Sequence, residues 1–326
     1  MESPMDDRIY YGQSAYGAAS DMGQYAFGDK RSVGASGKGS FIRGQRRRLN
    51  VPPMFIAVGG PWLLFAIVYA VLCFDIRYQD PGIAWAVVGA GFLMVILSGL
   101  FACSASGRWF VNAEHEPTWL IFLFLSFLLA FFTAVALGSA NYKSNMEPYF
   151  NMHSLNNYSN VSPVQMRGQQ LMDAGIVEFA QGSRLDVTKS MGFKTGQVYC
   201  VAPIVLGDSE LSTYDFWAVG KDCCSGSQAN FHCDHFNNPH ANGGYRLMTD
   251  NDRPFYRLAV QQAEATYKIR AVHPLFFEWA IDPIATVDGW RYQGKTEYLA
   301  WVLSYLVFQS FIVAFATLAF SKMGFS

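Results

Sequence analysis

The chain has 326 residues, of which 51% are hydrophobic and only 15% are charged, and its formal net charge is −1. Soluble domains usually carry about 25% charged residues, so this composition excludes an ordinary soluble protein and indicates a large lipid-facing fraction. The basic stretch near the amino terminus is short and is not interleaved with aromatic residues, so we expect no nucleic-acid partner.

Residues 1–50 are rich in Gly, Ser and Tyr and show no helical or strand period, which predicts a disordered leader. Seven basic residues and no acidic one fall in its second half: Lys30, Arg31, Lys38, Arg43, Arg46, Arg47 and Arg48. Positive charge before a first helix places that side in the cytosol. Each such residue also attracts anionic lipid by about 1 kcal/mol. We expect the leader to be cytosolic and to bind anionic lipid, although the charges could serve topology alone.

Four apolar segments contain no Asp, Glu, Lys or Arg: Met54–Phe74, Ile83–Ala105, Thr118–Ala140 and Tyr298–Phe320. A bilayer core requires about 20 apolar residues in a helix. The sequence therefore predicts an α-helical polytopic membrane protein, with helices at 54–74, 83–105 and 118–140 inside residues 51–140, and a fourth at 298–320. Alternation then places residues 141–297 outside the cytosol and the tail 321–326 inside it. The sequence is equally compatible with a location in the plasma membrane and in an endomembrane.

The long segment between the third and fourth helices is large enough for a core of its own. Asn157 and Asn160 begin N-glycosylation sequons. Four of the six cysteines, Cys200, Cys223, Cys224 and Cys233, also lie there and predict two disulfides. A bridge between adjacent Cys223 and Cys224 would be strained, so we expect Cys200 to pair with one of them and Cys233 with the other, and both arrangements remain open.

Local patterns predict that this extracytosolic domain is mixed α+β. We expect a helix from Ser162 to about Phe179 because Pro163 suits a first helical turn. The runs Gly196–Val205 and Ser212–Val219 have strand composition. Asn251 and Asp252 would cap a helix that continues to about Arg270, with Phe255, Leu258 and Ala259 on one face and an ion pair between Glu264 and Lys268. The apolar run Leu275–Ile281 should pack on the domain base or lie at the membrane interface.

The segment Phe231–His240 could gather a divalent metal through His232, Asp234, His235 and His240. Their spacing matches no closed zinc motif, so we favour a surface loop with incidental histidines and expect no cofactor. There is no Gly-x-Ser-x-Gly elbow and no phosphate-binding glycine loop. We therefore assign no catalytic residue.

The layout resembles that of tetraspanins, which have cytosolic ends, a small first external loop and a large second one. Cys223-Cys224-Ser225-Gly226 is similar to their Cys-Cys-Gly motif. The resemblance implies that Cys200 and Cys233 are the disulfide partners of these two adjacent cysteines. The runs Tyr214–Cys224 and Phe255–Ala265 also resemble a group of uncharacterised multi-span proteins from algae and other protists. That second resemblance implies no known activity.

These features favour a non-enzymatic membrane organiser or surface-interaction protein, whose partners are the lipid bilayer and other membrane proteins. A channel or transporter subunit is the alternative, and it would need a polar seam formed by Ser98, Ser104, Thr133, Ser139, Ser304, Gln309 and Ser310. A metal-dependent ectoenzyme that uses the histidine-rich loop is the third hypothesis.

Overall fold

The computed structural model describes residues 51–111, 118–208, 210–226 and 228–323. The predictions for the leader, including its seven basic residues, lie outside these ranges. The helices are α1 (Val51–Cys73), α2 (Asp75–Gln79), α3 (Pro81–Val111), α4 (Thr118–Asn141), α5 (Glu147–His153), α6 (Arg253–Tyr267) and α7 (Pro283–Met323). A π-helical turn, Tyr142–Met146, joins α4 to α5 without a break.

Four helical stretches are long and apolar enough to cross a membrane: Pro53–Cys73, Pro81–Ser104, Trp119–His153 and Pro283–Ala319. This confirms the four predicted apolar helices, but two are longer than expected. The third continues beyond Ala140, and the fourth begins at Pro283 instead of Tyr298. At 41 residues α7 is about 60 Å long, roughly twice the hydrocarbon thickness of a bilayer. Its charged first half therefore extends beyond any hydrocarbon core that its second half could span.

The helical bundle packs closely around α1. Gly91 of α3 approaches Leu64, and Gly138 of α4 approaches Tyr69 so tightly that a Cβ atom would lie 3.1 Å from its ring. Small residues permit this approach of helix backbones, which is how helices associate in lipid.

A side chain from α7 compensates for a proline inside α1. Pro61 has no N–H, so the carbonyl of Ala57, four residues earlier, loses its helical partner. Gln309 of α7 is fully buried, and its Nε2 donates a hydrogen bond of 2.9 Å to this carbonyl. In return, Trp62 Nε1 donates to the carbonyl of Val302 at 3.1 Å. The two helices are therefore joined by two polar contacts, one of which replaces the hydrogen bond that the proline removes.

Eight strands form one mixed sheet: β1 (Asn156–Val161), β2 (Ala174–Phe179), β3 (Ser183–Leu185), β4 (Met191–Thr195), β5 (Gln197–Leu206), β6 (Phe216–Lys221), β7 (Gly243–Arg246) and β8 (Leu275–Ala280). Their order is β1-β2-β7-β8-β6-β5-β3, and β4 pairs with β5 beside β3. The β1–β2 and β6–β8 pairs are parallel and the others antiparallel. Four apolar helices and a mixed, disulfide-containing sheet are thus the observed architecture.

The two faces of the sheet are covered differently, because side chains alternate along each strand. On the first face, Val201 and Trp217 belong to a core that is closed by α6. Toward the other edge of the same face, Ile176 packs into the core of the helical bundle beside α5 and α7. The second face, which includes Ala202 and Phe277, is covered by loops that contribute Leu171 and the disulfide segment.

Several local predictions for the domain were wrong. No helix follows Ser162. A 3-10 turn (Gly168–Leu171) and β2 stand in its place, because Ala174–Phe179 is an apolar, β-branched run buried between two neighbouring strands. Leu275–Ile281 is not a basal cluster, since it contains β8, an inner strand of the sheet. The strand predicted at Ser212 begins only at Phe216.

The helix predicted after Asn251 exists as α6, with a buried face different from the one expected. Tyr256, Ala259, Val260 and Ala263 are buried, whereas Leu258 is exposed. Glu264 accepts a hydrogen bond from the backbone N–H of Ala271 at 2.7 Å. Lys268 has the left-handed conformation (φ 55°) that ends the helix.

Buried amide side chains connect the end of α4 to both α1 and α7. Asn141 Nδ2 donates to the Tyr69 hydroxyl at 3.1 Å and to the Gly294 carbonyl at 2.9 Å. Asn145 Nδ2 donates to Asn141 Oδ1 at 2.9 Å. A Cβ atom on Gly294 would lie 2.7 Å from the sulfur of Met146, so only glycine allows this approach. We call this set of contacts the junction clasp.

Candidate functional site

A groove crosses the first face of the sheet between the two parts of its cover. One cavity of about 410 Å³ lies on the α6 side, and another of about 390 Å³ lies on the side of α5 and α7. Thr249 and Glu278 line both cavities. The groove therefore lies over β6, β8 and β7, where the α6 layer ends and the cover formed by α5 and α7 begins.

Glu278 lies on the floor of the groove, in β8. It is directly opposite Tyr245 of β7, whose hydroxyl donates a 2.7 Å hydrogen bond to Glu278 Oε2. Burial raises the pKa of the Glu278 carboxyl, the nearby Asp234 raises it further, and the Tyr245 hydrogen bond and Lys221 only partly oppose this. The groove therefore contains a carboxyl whose ionised form is poorly compensated.

A complete ion pair lies on the α6 side of the same groove. Lys221 Nζ is 2.8 Å from Asp252 Oδ2 and 5.6 Å from the centre of the Tyr199 ring. The Tyr199 hydroxyl donates to Asp252 Oδ1 at 3.3 Å. Asp252 is the residue expected to cap α6, but its side chain makes no cap hydrogen bond. Its carboxylate is used to bind the lysine instead.

Asp234 enters the groove from the disulfide loop. Its backbone is left-handed (φ 46°), a conformation that Asp adopts more often than most residues with a side chain. Although the residue is exposed as a whole, loss of water around its carboxyl raises the pKa, and His235 only partly opposes the change. Glu278 and Asp234 each lack an ion-pair partner within 4 Å among the residues that the structure describes.

The far wall of the groove comes from α5, α7 and the π-helical turn before α5. Trp290 of α7 packs edge-on against Tyr245, with ring centres 5.2 Å apart. Lys143 and Glu147, from the π-helical turn and α5, also line this end. Arg246 lies here too, and it donates to the carbonyls of Met172 and Ala174, at 3.1 and 3.4 Å. The two charge signs are thus balanced at this end, whereas three carboxylates and one lysine line the α6 end.

The predicted metal candidates do not form a ligand cluster. His232, His235 and His240 are exposed. Within the described part of the chain, the one set of three His, Cys, Asp or Glu ligand atoms close enough to share an ion consists of Cys200, Cys223 and Cys233. Their sulfurs are already in disulfides. Of the four candidates, His232 and Asp234 line the groove.

The structure pairs Cys200 with Cys224 and Cys223 with Cys233, one of the two arrangements that the sequence left open. Both bridges pack against the sheet at glycines. A Cβ atom on Gly220 would lie 2.6 Å from the Cys233 sulfur, and one on Gly192 would lie 2.7 Å from the Cys224 sulfur. Both cysteines of the Cys223–Cys233 bridge line the groove.

Four of the seven polar residues of the proposed transport seam bond within their own helices. The hydroxyls of Ser98, Ser104, Thr133 and Ser310 each donate to a carbonyl three or four residues earlier. Gln309 is buried against α1, whereas Ser304 and Ser310 are exposed. The structure thus places these residues on different helix faces.

Sequence reasoning missed Lys221, Tyr245 and Glu278, which line the groove, and Tyr199, which contacts the Lys221–Asp252 pair. One signal was present, since Glu278 is a lone carboxylate inside the apolar run Leu275–Ala280. A charge in the middle of a buried strand is rarely neutral for stability and often marks a site. The others come from separate segments that only the sheet brings together.

Among the described residues, the fold thus has four helical stretches long and apolar enough to span a membrane and a disulfide-containing mixed α/β domain. Comparison with protein-family models, curated proteins and solved structures finds no match for this chain. The resemblances to tetraspanins and to the algal and protist proteins gain no support from these comparisons.

Proposed function

We propose that this chain is a non-enzymatic membrane organiser or surface-interaction protein. Four transmembrane helices anchor it in the plasma membrane or an endomembrane, and residues 141–297 lie outside the cytosol. The paired cysteines support this placement, because disulfides persist in oxidising compartments. In this proposal both termini are cytosolic, and the basic leader binds anionic lipid.

The observation that carries the proposal is the rigid connection between the domain and the helices. The junction clasp joins α1, α4 and α7 through buried hydrogen bonds. One apolar core continues from Phe65 and Tyr69 of α1 to Ile176 of β2. A partner bound by the domain would therefore be held at a fixed height and orientation relative to the helices, as an organiser requires.

The segment 162–172 offers a surface for such a partner. It packs on the second face of the sheet through Leu171, yet Val164, Met166 and Met172 are 48%, 39% and 58% exposed. Methionine adapts its shape to different partners and is enriched in interfaces. Leu258 of α6, on the opposite face, is 40% exposed and offers a matched control position.

Site-specific photo-crosslinking in native membranes tests the proposal. A photoreactive amino acid replaces Met166 or Met172 in one set of variants and Leu258 in another, followed by gentle solubilisation and mass spectrometry. We expect a membrane protein to be captured in a fixed ratio from the first set and not from the control. A solitary protein or a homo-oligomer at every position would refute the organiser function.

We also propose that Asn157 and Asn160 carry glycans. Both are exposed on β1, an edge strand of the sheet, whose unpaired side would otherwise be open to another strand. Bulky glycans there would block edge-to-edge association. A mobility shift after endoglycosidase treatment, absent in the double Asn→Gln variant, is the expected result.

A further inference from the structure

The two ends of the groove differ in how their acidic groups are compensated. At the α6 end, an ammonium group is already held: Lys221 lies 2.8 Å from the Asp252 carboxylate and over the Tyr199 ring. A carboxylate and an aromatic ring together are the usual surroundings of a bound ammonium. The protein thus shows one complete example of this arrangement within the groove itself.

The same two groups recur in the middle of the groove without a cation. Glu278 provides a carboxylate on the floor, with Tyr245 beside it and Trp290 edge-on behind that ring. Asp234 adds a second carboxylate at the rim. Lys221 is engaged by Asp252, and Arg246 donates to backbone carbonyls. Lys143 also lines the groove, but it forms no ion pair with Glu278 within 4 Å in the described residues, so none of these cations neutralises Glu278 by direct contact.

The shape and donor set favour an organic cation over a metal ion. Cavities of about 410 and 390 Å³ have the size of small-molecule sites. The carboxylates of Asp234, Asp252 and Glu278 do not form a set of three close enough to share one ion in the described residues. An extended ligand can reach separated carboxylates and contact the aromatic wall, which a bare ion cannot.

We propose that this groove binds an organic ammonium group, which Glu278 and Asp234 recognise by charge and Tyr245 and Trp290 by ring contact. The ammonium belongs either to a free aliphatic amine or to an ethanolamine lipid headgroup, since the groove lies beside α5 and α7, which belong to stretches apolar enough to cross a membrane. This site goes beyond the partner-protein contact proposed above and does not depend on it, so that failure of the crosslinking test leaves it standing.

The test measures binding of 1,5-diaminopentane to the full-length protein in phosphatidylglycerol nanodiscs, by calorimetry, with protein-free nanodiscs subtracted. The uncharged isostere 1,5-pentanediol is measured in parallel. We expect saturable binding of the diamine only. Glu278→Gln keeps the contact with Tyr245 and removes the charge, so it should weaken binding about tenfold or more, as loss of a charge-assisted hydrogen bond does.

Two further variants separate the site from a general charge effect. Asp234→Asn should also weaken binding, and it keeps the test valid if Glu278→Gln fails to fold. Asp208→Asn removes an equal charge from an exposed residue that pairs with Arg184, outside the groove, and should bind like wild type. The proposal would be overturned if the diamine showed no saturable binding either in phosphatidylglycerol discs or in discs that contain phosphatidylethanolamine, and if the protein retained no ethanolamine lipid. It would also be overturned if all three variants lost the same amount of diamine affinity.

A second lipid composition identifies the source of the ammonium. If the ligand is a headgroup, nanodiscs containing phosphatidylethanolamine should compete with the diamine, and native mass spectrometry should show that lipid retained by wild type but not by Glu278→Gln. If the ligand is a free amine, affinity should be the same in both kinds of disc. Either result supports ammonium recognition by the groove.

Discussion

The hydrogen bond from Gln309 to the Ala57 carbonyl should matter only because Pro61 leaves that carbonyl without its helical partner. Replacing Gln309 with Leu removes the donor and leaves a buried carbonyl unpaired, which costs about 1–3 kcal/mol. The change also removes Gln309 Oε1, which is buried without a hydrogen-bond partner in the structure. We therefore expect a net loss of about 1–2 kcal/mol in the free energy of unfolding.

The Pro61→Ala background should abolish most of this loss. Residue 61 would then supply an N–H to the Ala57 carbonyl inside α1, so Gln309→Leu should cost less than about 0.5 kcal/mol. The resulting coupling energy of about 1–1.5 kcal/mol can be measured by a double-mutant cycle. Steric trapping in bicelles or denaturation in mixed micelles gives the four free energies of unfolding.

Ser310→Ala provides the matched control for this cycle. Ser310 is the next residue on α7, is exposed, and donates to the carbonyl of Leu306 in its own helix. Its substitution should have the same small effect in both backgrounds. If Gln309→Leu cost the same with and without Pro61, the proline would not be the reason for the contact, and this reasoning would be refuted.

Three further outcomes follow from the domain and its junction. Gly220→Ala should place a Cβ against the Cys233 sulfur, and it should lower the unfolding temperature and slow oxidative folding, as followed by thiol alkylation. Asn141→Leu should remove the hydrogen bonds to Tyr69 and Gly294 and lower the free energy of unfolding by about 2–3 kcal/mol, as measured by steric trapping or denaturation. An unchanged free energy of unfolding would show that the junction clasp does not stabilise the fold. Folding raises the pKa of Glu278, so its carboxyl contributes most to the free energy of unfolding at low pH, and this contribution is lost as pH rises through the raised pKa. Glu278→Gln should therefore flatten the decline in stability above about pH 4.5.

The sequence was most informative where one force dominates. Apolar runs of about 20 residues leave few alternatives to a helix in lipid, so the four helices could be predicted. Their ends could not, because charged residues such as Asp288 and Lys295 continue α7 beyond the apolar run. The helix predicted for residues 162–179 was wrong for a different reason. Pro163 suits the first turn of a helix, but pairing with β1 and β7 made Ala174–Phe179 a strand.

The groove was beyond local reasoning because its parts are far apart in the chain. Lys221, Tyr245 and Glu278 belong to three strands whose neighbours are set by the order β7-β8-β6, which no local pattern specifies. The role of Asp252 could not be predicted from local sequence either. Its position favours a helix cap, whereas the ion pair with Lys221 is available only in the folded domain.

Glu278 separates a structural role from a binding role more sharply than any other residue of the groove. If the carboxylate served the fold, removing its charge would lower stability. Its surroundings predict the opposite, since burial and Asp234 disfavour the ionised form and the Tyr245 hydroxyl keeps an acceptor in the amide oxygen of Gln. At neutral pH, Glu278→Gln should therefore be at least as stable as wild type while binding the diamine more weakly. Thermal unfolding and calorimetry on the same preparation decide between the roles, because lower stability with unchanged binding would make Glu278 a structural residue.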